Sequence, residues 1–152
     1  MKYSIQRLDG DDLSSMRALN ALFADVFEDI DNYALTIPSD EYIVSFLRNE
    51  NTIVMVARED DAIIGGLVAY ILVKFEMERK EIYLYDLAVS REHQRKGVGK
   101  SLIEQLKNTA QALGAYVVFV QADEGEEAVS FYESLDPDEN LRTRTFDYRV
   151  SA

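Results

Sequence analysis

Two neighbouring groups of residues in this chain could do chemistry. The first is Gln94-Arg95-Lys96-Gly97-Val98-Gly99, continued by Lys100 and Ser101. Glycines at a helix start let backbone N–H groups turn inward, where the unpaired amides and a dipole worth roughly half a positive charge favour an anion. Gln94, Arg95, Lys96 and Lys100 add donors, so the stretch reads as a site for a phosphate-bearing ligand. The second is Asp86, inside Ile82-Tyr83-Leu84-Tyr85-Asp86-Leu87-Ala88-Val89. Its aromatic and branched neighbours describe a strand, a setting that disfavours Asp. Such a carboxylate either is held in a core by Arg or backbone donors, or works at a site.

The other residue types narrow the chemistry. Gly99-Lys100-Ser101 matches the tail of a nucleotide-binding P-loop, but Gln94 stands where that motif needs its first glycine. A G-x-G-x-x-G dinucleotide fingerprint is also missing. With no cysteine and the single histidine His93, thiolate and multi-histidine metal sites and a Cys nucleophile are excluded, and no metal is expected. His93 is expected to be an exposed loop residue. A formal charge of −12 argues against nucleic acid and favours a cationic partner, although the same charge also serves solubility.

The elements that must position these residues follow from periodicity. Behind the glycines, Val98, Leu102, Leu106, Ala110 and Leu113 recur at helical spacing, and Gly114 can cap the end. Tyr116-Val117-Val118-Phe119-Val120 is a continuous apolar run, expected to be a strand buried on both faces. Strand, helix and strand make a parallel βαβ crossover. Upstream, Tyr3 to Leu8 can be a first strand, and Leu13 to Phe27 an amphipathic helix. The acidic, aromatic connector Glu28 to Tyr33 is either a solvated loop or part of a wall facing a cation. Ser39 should cap a helix running to Arg48. Thr52 to Arg58 and Ala62 to Val73 form an antiparallel hairpin, with a bulge or a close backbone approach at Gly65-Gly66. Glu126 to Leu135 is a short helix, and Thr143 to Val150 should close the sheet. All 152 residues are expected to form one domain. Met1-Lys2-Tyr3-Ser4 enters directly into strand-like alternation, and no apolar run reaches the ~20 residues that span a bilayer, so a cytoplasmic protein without membrane contact is expected.

Gln94, Gly97 and Gly99 match the R/Q-x-x-G-x-G/A pyrophosphate loop, and the order of elements over nearly the whole chain is similar to the GNAT superfamily of acetyl-CoA-dependent N-acetyltransferases. Residue strings narrow the resemblance. Ser15-Met16-Arg17-Ala18, Val73-Lys74-Phe75-Glu76, the stretch from Glu81 to Ser90, Ala112 to Val117 and Val120-Gln121-Ala122-Asp123 resemble the type I aminoglycoside 3-N-acetyltransferases. One departure is Leu135-Asp136-Pro137-Asp138, where the superfamily commonly has Leu-Gly-Phe.

The resemblance implies an α/β GNAT fold: a mixed, mostly antiparallel twisted sheet with a central splayed parallel strand pair and flanking helices. It implies that Leu87, Ala88 and Val89 meet the pantetheine arm of acetyl-CoA, with residues 94–101 at its pyrophosphate. Acetyl transfer to an amine needs that amine neutral, the thioester oxygen held and a proton for the leaving thiolate. The resemblance puts Asp86 against the reacting amine, as base, water relay or positioning charge, and Tyr132 near the sulfur as general acid. Glu76 is a further candidate for substrate. Asp123 and Glu124, with Glu126 and Glu127, form an acidic lip that suits a polycationic aminoglycoside, or else a solvated loop. An acetyltransferase for a polyamine or a protein N-terminus, or an idle CoA-binding sensor, remains an alternative. Dimers are frequent in the superfamily, which leaves a homodimer open.

Overall fold

The hydrophobic period switches between two and about 3.6 residues along the chain, and the backbone follows it. The structure, a computed structural model, describes residues 2–33 and 35–151. Met1 and Ala152, the ends of the expected single domain, lie outside the described residues. Two compact units are present, Met1–Gln121 and Ala122–Ala152.

The first unit is a five-stranded sheet with helices. Its elements are β1 (Ser4–Arg7), α1 (Leu13–Val26), α2 (Ile30–Tyr33), α3 (Asp40–Arg48), β2 (Thr52–Glu59), β3 (Ala62–Val73), β4 (Lys80–Val89), α4 (Val98–Ala112) and β5 (Ala115–Val120). The strands lie in sequence order, antiparallel from β1 to β4 and parallel between β4 and β5. Ser39 caps α3 as its residue type demands, its Oγ accepting from the Tyr42 N–H at 3.2 Å.

Alternation along β2 and β3 divides the core between the two faces of the sheet. Val54, Val56, Val68 and Ala88 join Met16, Leu19 and Phe23 of α1 and Ile43 and Leu47 of α3 in one cluster. Ile53, Met55, Leu67 and Ala69 alternate with these and are equally buried. On that second side α4 lays Val98, Leu102, Leu106 and Ala110 against β2 to β5. The glycine pair separates the faces. A Cβ on Gly65 would stand 3.4 Å from Val98 Cγ1, whereas one on Gly66 would stand 2.5 Å from Leu19 Cδ1 and 2.7 Å from the Met55 carbonyl oxygen. Gly66 is therefore the expected close approach, and the expected bulge falls beside Gly65, where Ala57 pairs with Gly65 but Arg58 with Ile63.

A second slip decides where the chemistry points. Val68 pairs with Asp86 but Ala69 pairs with Leu84, so Tyr85 is an extra residue in β4. Uninterrupted alternation would put Asp86 beside Leu84 and Ile82, on the α4 side. The bulge turns Asp86 onto the α1 face, opposite Val68.

The second unit holds α5 (Glu127–Glu133) and a segment, residues 139–151, without helix or strand. The strand expected from Thr143 to Val150 is thus not formed. Its alternation selects a face but supplies no ladder partner. Asp136 takes φ 54°, the left-handed conformation that a glycine would hold there, which accommodates the departure from Leu-Gly-Phe. β5 is half-buried rather than buried on both faces, and Tyr116 is exposed, because β5 is the edge of the described sheet.

Candidate active site

Parallel pairing between β4 and β5 stops at Leu84 and Val120. Residues 85–89 of β4 therefore continue without a strand beside them on that side, among the described residues. Leu87, Ala88 and Val89 lie on this open edge, where an extended ligand could add as a strand does. The loop that follows is pinned. Gln94 Nε2 donates to the Val89 carbonyl at 2.9 Å, and Arg91 reaches Asp25 Oδ2 at 3.0 Å and Glu28 Oε1 at 3.3 Å, fastening the loop to the end of α1. Part of the acidic connector is thus paired with an arginine. His93 is not an exposed loop residue as expected. It lies between Ser90 Oγ, 2.7 Å from its Nδ1, and Glu59 Oε1, 3.5 Å from its Nε2.

Arg95 (φ 62°) and Gly97 (φ 85°) both adopt left-handed backbone, and α4 begins at Val98 with no side-chain cap. The open first-turn amides, the buried Gly99 and the exposed Arg95, Lys96 and Lys100 fit a diphosphate. The Ser101 hydroxyl is already engaged with the Tyr3 hydroxyl at 2.8 Å.

Asp86 is half-buried, and its Oδ2 accepts a hydrogen bond from the Tyr33 hydroxyl at 2.7 Å. Burial pushes the carboxyl above the usual carboxylate range, and the Tyr33 hydrogen bond offsets part of that rise. Tyr33 is pushed well above the ordinary phenol value, first by burial and then by its bond to Asp86, so it stays a donor at neutral pH. The sequence places Tyr33 only at the end of the connector that could wall a cation site, and its bond to Asp86 is not apparent there. Its short helix α2 is only four residues long, too brief to show a period. The expected alternative is a core Asp held by Arg or backbone donors; among the described residues no Lys or Arg pairs with Asp86, and the donor it has is the Tyr33 hydroxyl. A raised carboxyl beside a phenol donor can accept a proton from a bound ammonium or hold it by charge.

The remaining candidates are on other segments of the chain. Glu76 is in the connector preceding β4, 3.3 Å from Lys74, and six residues of strand, roughly 20 Å, separate Lys80 from Asp86. The chain does not bring Glu76 to Asp86. Asp123, Glu124 and Tyr132 belong to the second unit. There Asp123 and Glu124 are exposed, Glu124 pairs with Arg142 at 3.1 Å, and Tyr132 on α5 is half-buried with its ring 5.1 Å from that of Phe131.

Comparison with known proteins gives a consistent result. Residues 16–136 match the acetyltransferase (GNAT) family. Among solved structures, an aminoglycoside acetyltransferase, HMB0005, from an uncultured soil metagenomic sample is 40% identical, with a TM-score of 0.93 over 99% of this chain and 100% of that one. Another from the same kind of source, meta-AAC0020 in complex with sisomicin, is 35% identical with a TM-score of 0.93 over 98% and 97%. An aminoglycoside N-acetyltransferase, AAC(6')-Iy in complex with CoA, shares the fold alone, at 15% identity and a TM-score of 0.76 over 98% and 96%. No curated protein sequence matches the chain. No helix among the described residues is long and apolar enough to cross a membrane.

Proposed function

Because the chain belongs to the GNAT acetyltransferase family, and is therefore an acetyl-transfer enzyme of a family that uses acetyl-CoA, we propose that it acetylates aminoglycosides at the 3-amino group and so confers resistance. The observation that carries the reading is Asp86, turned by the Tyr85 bulge onto the face where Tyr33 fixes it. Full-length identity of 40% and 35% to aminoglycoside acetyltransferases supports the substrate class, as does the charge of −12. The 3-position rests on the resemblance of the residue strings around Asp86.

In this reading acetyl-CoA supplies the thioester. Residues 94–101 bind its pyrophosphate through the first-turn amides of α4 with Arg95, Lys96 and Lys100, while Gln94 shapes the loop by holding Val89. Leu87, Ala88 and Val89 offer their open edge to the pantetheine arm. Asp86 holds the acceptor ammonium and takes its proton, directly or through water, and the neutral amine attacks. The resemblance of its helix to the family's assigns Tyr132 the proton given to the departing thiolate. Asp123 and Glu124 attract the other ammonium groups.

The test is CoA release from acetyl-CoA with aminoglycosides, polyamines and peptides in parallel, the product nitrogen being assigned by mass spectrometry and NMR. Acetylation of the 3-amino nitrogen is expected. Asp86→Asn should lower turnover ~100-fold or more while acetyl-CoA affinity holds. Preference for a polyamine or peptide, or acetylation at another amine, would overturn the substrate assignment and leave the enzyme class standing.

A further inference from the structure

The face that carries Asp86 also carries a group of tyrosines for which acetyl transfer gives no role. Tyr42 and Phe46 of α3, Tyr70 of β3, Tyr83 and Tyr85 of β4 and the adjacent Asn51 line a hollow of about 570 Å³. That volume is typical of a small-molecule site, roughly 300–1,000 Å³. Tyr83 faces this side by ordinary alternation, paired with Tyr70, and the bulge leaves Tyr85 and Asp86 both on it as well. The Tyr70 ring meets Tyr85 edge to face at 5.6 Å, and Tyr85 meets Tyr83 at 5.6 Å. Phe46 closes on Tyr70 at 6.1 Å, so the rings form one continuous wall. Two of them remain open to water, Tyr42 at 67% and Tyr85 at 55% exposure. Large exposed aromatics gathered in one place mark a contact surface.

We propose that this hollow is a subsite for a second amino-sugar ring of the acceptor, linked to the ring whose amine meets Asp86. The inference rests on the aminoglycoside reading above. Position supports it. Val68 lies opposite Asp86, and Tyr70, two residues along β3, lies about 7 Å further on the same face. Chemistry supports it as well. None of the residues lining the hollow is charged, and the negative faces of the rings attract ammonium groups within about 6 Å. Burial pushes the Tyr70 and Tyr83 phenols up, so both stay neutral at working pH, and the Tyr83 hydroxyl, which donates to Gln121 Oε1 at 2.8 Å, can still accept from an ammonium. Phenol and Asn51 groups among apolar rings suit a ring with apolar faces and polar edges.

The experiment compares sisomicin, which has several rings, with the single ring 2-deoxystreptamine as acceptors for the full chain and for Tyr42→Ala and Tyr70→Leu. Each substitution should raise the KM for sisomicin about 3- to 30-fold, the range that cation–π contacts span. The KM for 2-deoxystreptamine should move less than about twofold, with acetyl-CoA affinity by calorimetry unchanged. Tyr42 is mostly exposed, so its variant stays informative if Tyr70→Leu unfolds. An unchanged sisomicin KM for Tyr42→Ala, or an equal rise for both acceptors, would overturn the subsite and leave the proposed function intact. Failure of the unaltered protein to acetylate any aminoglycoside would overturn both together.

Discussion

The Tyr33 hydroxyl donates to Asp86 Oδ2 across 2.7 Å, tying a short helix after α1 to the middle of β4. The tyrosine is itself held by aromatic contacts, its ring 5.8 Å from Phe23 and 5.6 Å from Phe27. One hydrogen bond therefore couples the orientation of the candidate base to the packing of α1. It also acts on basicity in the direction opposite to burial, since a donor favours the charged carboxylate.

Tyr33→Phe should keep the ring contacts and remove only that donor. The Asp86 carboxyl should then rise further, and the acidic limb of the kcat/KM profile should move to higher pH. Well above that limb the loss should be under about tenfold, because general-base capacity itself remains. A limb that stays in place would confine Tyr33 to packing.

Gly97 holds φ 85°, and a Cβ added to it would meet nothing within 4 Å. Gly97→Ala should therefore act through backbone strain alone, costing about 1–2 kcal/mol. Relief of that strain would swing the first-turn amides of α4, so acetyl-CoA affinity by calorimetry should fall about tenfold. Gly97→Asn, which tolerates left-handed backbone better, should recover part of both losses.

Local chemistry was legible in the sequence wherever one short stretch decides the outcome. Ser39 announces its helix, the glycines and basic residues before α4 announce an anion site, and the hairpin and βαβ unit follow from period and turn residues. Features that depend on a partner far along the chain were not legible. The extra residue Tyr85 is invisible in the alternation of β4, yet it decides which face Asp86 joins. Thr143 to Val150 has a strand's pattern but no partner strand, and Glu76 shares a string with the subfamily yet lies at the far end of β4. The Tyr33 bond to Asp86 links residues that no local pattern joins.

Gly66 tests the packing between sheet and helix. A methyl there would press on Leu19 Cδ1 and on the Met55 carbonyl oxygen, and backbone cannot move aside as a side chain can. Gly66→Ala should lose about 1–3 kcal/mol in chemical denaturation, the usual cost of overpacking a core. Gly114→Ala, whose Cβ would find open space, should lose only the strain of its positive φ.

The Asp86 carboxyl also sets a pH dependence of stability whose sign is fixed by its shift. Its value in the folded chain lies above the ordinary one, chiefly because burial penalises the charged form. Between the ordinary and raised values the folded state binds more protons than the unfolded state, so stability falls as pH rises through that window. Above the window the protein carries the full cost of a partly buried ionised carboxylate. Asp86→Asn is neutral at every pH, and its side-chain oxygen can still accept from Tyr33. The variant should therefore melt at a higher temperature than the unaltered protein at pH 7, and the gap should close as pH is lowered through the carboxylate range. Melting curves of both proteins at several pH values isolate this group, because the other titrations are common to the pair and cancel in the difference. An Asn variant that is less stable at pH 7, with a gap independent of pH, would show that Asp86 serves the fold. The expected result, greater stability joined to lost turnover, would show that its charge is kept for the reaction.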